Sequence, residues 1–398
     1  MNSFDLELQH RLAVIREQGL LRELRRVDSP QSPRIEIGGR PLRNFSSNDY
    51  LGFANHPALK EAAIQATGKF GAGAGASRLI CGSLAPFHEL EEALGAFKGT
   101  PAALTFSTGY ATAVGAITAL LGKDDIIIVD KLVHACIVDA AKLSGARLRV
   151  FAHNDLNDLE EILKWVEAKS RHPLPVTRHT LIATESIFSM DGDAAPLREL
   201  VALKEKYGAW LLVDEAHATG LYGENRRSLA EALGVGDRIE IQMGTLGKAL
   251  GASGGYICGS RALVDFLINR ARSFIFSTAP VPAAVGAARA GIQLAQSTAG
   301  AERVASLWER VAQFHASIGS QPSAIPSAII PVIIGDESAA VLAATELREQ
   351  GIYVPAIRYP SVARGSARLR VTLTAEHTQE DVAALTNALT ALNLRPRT

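Results

Sequence analysis

The chain has little cysteine, no surplus of charge of either sign and no uninterrupted hydrophobic span, and each lack excludes a class of protein. Cys81, Cys136 and Cys258 are the only cysteines in 398 residues. Odd in number and far apart, they make neither a disulfide framework nor a Cys-x-x-Cys metal site, and a reducing cytoplasm is the expected compartment. Lys and Arg number 41 against 41 Asp and Glu. With no long basic run, binding to nucleic acid is not expected. Asp5 and Glu7 sit early in the chain, so its start does not read as a signal peptide. Gly99 to Gly122 carries no charge and is long enough to cross a bilayer. Thr105, Ser107, Thr108, Tyr110, Thr112 and Thr118 interrupt it, with Gly109 in the middle. It reads as a buried strand, a turn and a buried helix of a soluble protein, with no membrane partner.

What is there suits a globular enzyme. At 47% hydrophobic and 21% charged, the chain can bury a full core without disulfides or a structural metal. Residues 1–43 read as a basic amphipathic helix, with Leu12, Ile15, Leu20, Leu21 and Leu24 as its apolar positions, then a linker. Pro30, Pro33, Gly38, Gly39 and Pro41 break the pattern there into a loop or short hairpin. Residues 44–290 alternate apolar runs with helical stretches. The expected strands are Ala103–Phe106, Ile126–Val129, Leu148–Phe151, Leu181–Thr184, Trp210–Val213, Ile239–Met243 and Gly255–Cys258. This is the pattern of an α/β domain with a mainly parallel central sheet and flanking helices. Ligands would gather along the edge where its strands end. Residues 291–398 predict a small α+β domain, with strands Ala328–Ile334, Ile352–Ile357 and Arg368–Leu373 between helices.

Two motifs carry chemistry. Trp210-Leu-Leu-Val-Asp214-Glu-Ala-His217 puts a carboxylate at the end of a buried strand, with a histidine three residues on. A salt bridge or a metal-binding pair would satisfy that segment alone. Gly244-Thr-Leu-Gly247-Lys248-Ala-Leu-Gly251 changes the weighing, because its glycines let the backbone approach a ligand closely. A strand-end Asp, a His and a glycine-flanked Lys suit pyridoxal phosphate. Lys248 would link to the cofactor, and Asp214 would keep the ring nitrogen protonated so that the ring acts as an electron sink. Ser107-Thr108-Gly109-Tyr110 follows a strand and opens a helix, offering a phosphate cradle of backbone N–H groups. Ser277 and Thr278 offer hydroxyls for the same phosphate. His134 could stack on the ring, and Ser189 could bond the ring oxygen. Asp191 and Asp193 flank Gly192 in what reads as a turn rather than a metal site. The run Gly71-Ala-Gly-Ala-Gly-Ala76 formally matches a dinucleotide fingerprint, but the helical pattern before it denies the required strand.

Asn44-Phe-Ser-Ser-Asn-Asp-Tyr-Leu-Gly52, the Ser189–Asp193 turn, Asp214-Glu-Ala-His217 and Thr245-Leu-Gly-Lys248 together resemble the α-oxoamine synthases. The likeness runs from about Leu24 to Thr374. It implies a fold-type I pyridoxal-phosphate acyltransferase that condenses an amino acid with an acyl thioester and releases CO2. The run Ala356-Ile-Arg358-Tyr-Pro-Ser-Val-Ala-Arg-Gly-Ser-Ala-Arg-Leu-Arg-Val-Thr-Leu-Thr374 is similar to the biotin-pathway member, and so is Ala152-His-Asn-Asp155. That likeness implies L-alanine and pimeloyl-CoA or pimeloyl-acyl carrier protein as substrates. It implies Lys248 as the cofactor-linked lysine, Asp214 at the ring nitrogen, His217 with Ser189 at the ring oxygen, and His134 over the ring. Gly109, Tyr110 and Thr245 would serve the phosphate. Arg25, Asn48, Arg358 and Ser361 would serve the substrates, Arg358 the amino-acid carboxylate. Ser361 stands where the family pattern has threonine, and the hydroxyl is kept.

The resemblance further implies a homodimer with shared active sites, in which the Gly71–Gly75 loop and Ser277-Thr278 lie near the neighbouring subunit. Another α-oxoamine synthase, using glycine or serine and a different acyl group, would keep the Lys248 site. A non-catalytic subunit of the same fold would have no need of Lys248 and its partners.

Overall fold

The computed structural model describes residues 2–170 and 179–396. The breaker-rich segment near residue 38 is a hairpin. β1 (Arg34–Ile37) and β2 (Arg40–Asn44) pair antiparallel across Gly38 and Gly39, both of which take positive φ. The seven apolar runs that follow are all strands: β3 (Ala102–Phe106), β4 (Ile126–Asp130), β5 (Arg147–Phe151), β6 (Thr180–Glu185), β7 (Trp210–Asp214), β8 (Ile241–Thr245) and β9 (Gly255–Gly259). They form one sheet in the order β3-β9-β8-β7-β6-β4-β5. β9 runs antiparallel to both its neighbours and every other pairing is parallel. Every residue of β4 is buried, as expected of a strand covered by helices on both faces.

This topology brings the C-terminal ends of the parallel strands to one edge. Phe106 and Thr245 pair there with Gly255, the first residue of the reversed β9. Glu185 and Asp214 are in register on neighbouring strands. Helices between the strands hold this edge. In the helix Ala85–Lys98, Phe87, Leu90, Leu94 and Phe97 follow the helical period and are fully buried. Each contributes ~1.5–3 kcal/mol by leaving water. Gly99 ends that helix in the left-handed conformation.

By its contacts the chain divides into two compact units. One comprises Leu51–Ser189 and Asp193–Val304, and holds the seven-stranded sheet. The other comprises Met1–Tyr50, Met190–Gly192 and Ala305–Thr398. In it β10 (Ile329–Gly335), β13 (Ala367–Thr372) and β12 (Ala356–Ile357) make an antiparallel sheet, while β11 (Ile352–Tyr353) pairs parallel with β2. The N-terminal hairpin therefore belongs with the C-terminal elements.

Three local expectations are corrected. The first helix spans Ser3–Glu17 rather than reaching Leu24; Gly19 at φ +66° follows its end, and Leu24 is fully exposed. The strand expected over 352–357 splits between two sheets, because Pro355 has no N–H to continue a ladder. β8 starts at Ile241 and not Ile239, since Gly236–Arg238 forms a 3₁₀ turn just before it.

The contrast between two glycines tests this packing. Gly68 is exposed within the helix Pro57–Phe70, and a Cβ there meets nothing within 4 Å. Gly68→Ala should raise stability by ~0.5–1 kcal/mol. Gly251 has φ +69°, and a Cβ there would lie 2.5 Å from Phe53 Cβ. Gly251→Ala should cost ~2 kcal/mol or more through overpacking and left-handed strain. Thermal melting of the two variants should move in opposite directions.

Candidate active site

Most strand ends on this edge bring side chains to one place. Asp214 closes β7, and its Oδ1 accepts the Ala216 N–H at 2.9 Å. The next residue, Glu215, is buried with Lys98: Nζ to Oε2 is 2.7 Å, and both side chains are 0% exposed. Glu215 Oε1 also accepts the Ala230 N–H at 3.0 Å, so the loop after β7 is pinned from two sides. Two residues on, His217 Nε2 lies 2.8 Å from Lys248 Nζ. Lys248 is delivered by the loop after β8, whose shape Thr245 fixes: Oγ1 donates to the Gly254 carbonyl at 2.9 Å and accepts the Gly247 N–H at 3.1 Å.

Two helix starts face the same place. The helix Gly109–Leu120 is capped by Thr108, whose Oγ1 accepts the Ala111 N–H at 3.0 Å. It can start this close to β9 because Gly255 has no side chain. A Cβ on Gly255 would lie 2.8 Å from Gly109 Cα and 2.3 Å from Thr112 Oγ1. Tyr110 turns its hydroxyl to Asp139 Oδ2 at 2.8 Å, which raises the phenol pKa. His134 caps the helix Ala135–Ser144, its Nδ1 accepting the Cys136 N–H at 3.2 Å. Gly109, Tyr110, His134, Asp214, His217, Thr245 and Lys248 line one cavity of ≈ 170 Å³, together with Cys136, Glu185 and Met243.

Burial governs the protonation of this cavity. It raises the Asp214 pKa, against the pull of the Lys248 ammonium and the Ala216 N–H. It lowers the pKa of His134, favouring the neutral ring, and pushes the Cys136 thiol well up. Glu185 is pushed up to about 8, by burial first and then by the Asp214 charge. Its Oε1 is buried without a hydrogen-bond partner among the described residues.

The donor set fits pyridoxal phosphate. A buried carboxylate suits a protonated ring nitrogen, the Lys248 amine suits the aldehyde, and the Gly109 helix start suits the phosphate. Ser189 stands beside the cavity: it is buried, and its N–H donates to Glu185 Oε2 at 3.1 Å. Its turn is held by Phe188 N–H to the Asp193 carbonyl at 2.9 Å, and by His153. His153 Nε2 meets Asp193 Oδ2 at 2.7 Å, while Nδ1 meets Asp130 Oδ1 at 2.9 Å. Asp191 and Asp193 serve different partners, since Asp191 Oδ1 accepts from Arg368 Nη1 at 2.5 Å.

Other expected residues lie outside this cavity. Ser277 and Thr278 do not line it, and Thr278 forms a β-bridge with Ser77. Arg25, Asn48, Arg358 and Ser361 belong to the other compact unit. There Arg25 and Arg358 line a cavity of ≈ 580 Å³ with Arg22 and Arg348. Arg358 donates to the Gly19 and Leu21 carbonyls, and burial lowers its pKa. Asn48 Oδ1 accepts from Arg370 Nη1 at 3.1 Å, and Ser361 is exposed. Sequence reading missed Glu185 and Lys98. Glu185 carried the same signal as Asp214, an acid ending an apolar run, one residue beyond the expected strand. Lys98 carried none, being 117 positions from its partner.

The chain is similar to known proteins over nearly its whole length. The family described as aminotransferase class I and II matches over residues 40–389. The 8-amino-7-oxononanoate synthase of Geotalea daltonii is 44% identical over 392 residues, covering 98% of this chain and 97% of that protein. A serine palmitoyltransferase structure from S. paucimobilis with bound PLP and myriocin superposes with a TM-score of 0.89, at 29% identity over 99% of this chain and 100% of that one. An 8-amino-7-oxononanoate synthase structure from Francisella tularensis superposes at 0.73, with 27% identity over 88% and 98% of the two chains.

Two measurements test the local geometry. Gly255→Ala should weaken pyridoxal phosphate binding at least tenfold by displacing the Gly109 helix start, read by fluorescence titration. His153 has its pKa raised to about 10; burial opposes this, but its hydrogen bonds to Asp130 and Asp193 outweigh it. A raised histidine stabilises fully below its unfolded pKa and ceases to do so as pH rises through the folded one. The melting temperature gap between the protein and His153→Gln should be widest near pH 6 and close toward pH 10.

Proposed function

We propose, for a chain that belongs to the aminotransferase class I and II family, a decarboxylative condensation of L-alanine with a pimeloyl thioester that yields 8-amino-7-oxononanoate for biotin synthesis. The observation that carries the chemistry is the Lys248–His217–Asp214 set inside one cavity at the sheet edge. The substrate choice is supported by relatives named 8-amino-7-oxononanoate synthase at 44% and 46% identity over nearly the whole chain. The α-carbon of alanine forms a bond to the acyl carbon, the thiol leaves, and CO2 carries off the carboxylate.

Pyridoxal phosphate, bound through Lys248, supplies an electron sink for the bonds broken at the α-carbon. Asp214 would hold the proton on the ring nitrogen, which a carboxylate can do only while it stays ionised. His217 and Ser189 would orient the ring through its oxygen, and His134, whose neutral form burial favours, would pack against the ring. The Gly109 and Tyr110 N–H groups and Thr245 would hold the phosphate. The Lys248 amine, once the amine of alanine has displaced it from the cofactor, would take the α-proton of alanine and later return a proton to the product. We assign the substrates' polar groups to Arg25, Asn48, Arg358 and Ser361 on their motifs. Within their own unit, the four guanidinium groups around one cavity support an anion there.

We assign the working form to a homodimer with shared sites. The resemblance to the α-oxoamine synthases supports this, and the Gly71–Gly75 loop, largely exposed in the single chain, is open to a neighbour. Ser277 and Thr278 would then serve the neighbour's phosphate. A cytoplasmic location is supported by three free cysteines, and no helix among the described residues is long and apolar enough to cross a membrane.

Thiol release by the cofactor-loaded protein tests the reaction. It should require both alanine and pimeloyl-CoA or pimeloyl-acyl carrier protein, and vanish in Lys248→Ala. Asp214→Asn should lower kcat by several powers of ten, because the electron sink is lost. Release with glycine and acetyl-CoA, or with serine and palmitoyl-CoA, would keep the chemistry and overturn the substrates. No release from any pair would overturn the reaction.

A further inference from the structure

We propose that Glu185 is a positioning residue of the cofactor site that works as the neutral acid, tying the Ser189 turn to the end of β6 and leaving Asp214 as the single carboxylate charge beneath the ring nitrogen. The inference rests on the pyridoxal phosphate reading of the cavity and not on the choice of acyl donor.

The argument starts from the sheet. Glu185 and Asp214 are register partners on adjacent parallel strands, so their side chains leave the same face of the sheet one strand spacing apart, ~4.8 Å. Both residues are buried, at 2% and 5% exposure, and both line the cavity. Two carboxylates so placed do not both ionise; the pair shares a proton, and the better-solvated partner keeps the charge. Asp214 is the better solvated. Its Oδ1 has the Ala216 N–H, and it faces the Lys248 ammonium and, once the cofactor is bound, a protonated ring nitrogen. Glu185 Oε2 accepts the Ser189 N–H at 3.1 Å, and Oε1 has no hydrogen-bond partner among the described residues. An ionised oxygen left so is costlier than a protonated one, so the proton belongs on Glu185.

The groups facing Glu185 agree. Asp214 on β7 repels its ionised form, Lys248 on the loop after β8 favours it, and backbone groups of His134 and Ser189 also favour it. Cys136, at the start of the following helix, is held as the thiol and adds no charge. The balance falls to burial and to Asp214, which put the Glu185 carboxyl at about 8. Above that pH a second negative charge enters the cavity. Below it the acid pins Ser189 while Oε1 offers an O–H to the space the cofactor fills.

The test is spectroscopic and needs no substrate. The visible band of the bound cofactor is recorded from pH 6 to 10 for the wild type, Glu185→Gln and Glu185→Ala, with cofactor affinity measured at pH 7. The wild type should show a transition near about 8 that Glu185→Gln lacks. Glu185→Ala should bind the cofactor at least tenfold more weakly, and Glu185→Gln, an isostere of the neutral acid, should recover most of that loss. An unchanged transition in Glu185→Gln overturns the proposal, as does a cofactor affinity in Glu185→Gln as poor as in the alanine variant. The glutamine variant decides the matter even if the alanine variant fails to fold. A wild type with no visible band overturns the cofactor reading as well.

Discussion

The site is arranged around a carboxylate buried at the end of a strand. Burial raises the Asp214 pKa, and the surroundings act against that shift. β8 brings Lys248, the turn after β7 brings the Ala216 N–H, and the neighbouring acid on β6 is placed where it can carry a proton instead. The order of strands β6, β7 and β8 in the sheet is thus an electrostatic arrangement as much as a packing one. Moving β8 would take away the Lys248 charge that favours the ionised aspartate.

The Lys98–Glu215 pair has a different character. Both groups are fully buried, and such a pair gains little over an apolar pair of the same shape, although losing one partner costs about 3–5 kcal/mol. Its consequence here is geometric. Glu215 sits between Asp214 and His217 in sequence, and anchoring it to a helix and to the Ala230 N–H fixes the direction in which both leave the backbone. The His153 bridge does the same for the Ser189 turn, with Asp130 and Asp193 as its two ends. Residues outside the cavity therefore set the orientation of those in and beside it.

Much of the fold was legible because strands and helices carry local signals. All seven apolar runs of the large unit are strands, and the alternation with helices correctly implied a mainly parallel sheet. The misread elements fail where a single residue overrides the pattern. Gly19 ends the first helix early, and Pro355 divides one expected strand between two sheets. At the site, strand-end position and flanking glycines were enough to single out Asp214 and Lys248, and a helix opening after a strand was enough for Gly109 and Tyr110. Glu185 escaped because no histidine follows it at the spacing that drew attention to Asp214. Ser277 and Thr278 were grouped with the phosphate residues by chemistry, a grouping that their own chain does not reproduce within the cavity.

By itself the sequence determined which segments are strands, which residues end them and which lysine stands among glycines, because periodicity and backbone preference act over a few residues. Its resemblance to a family added the cofactor and the reaction class. Only the tertiary structure decided that β9 runs against its neighbours and brings Gly255 against Gly109. It also decided that Lys98 meets Glu215 and that Glu185 shares its field with Asp214. Those pairings join residues from about 29 to nearly 150 positions apart. They depend on strand order and burial, and a charge's protonation follows from neighbours that no local pattern records.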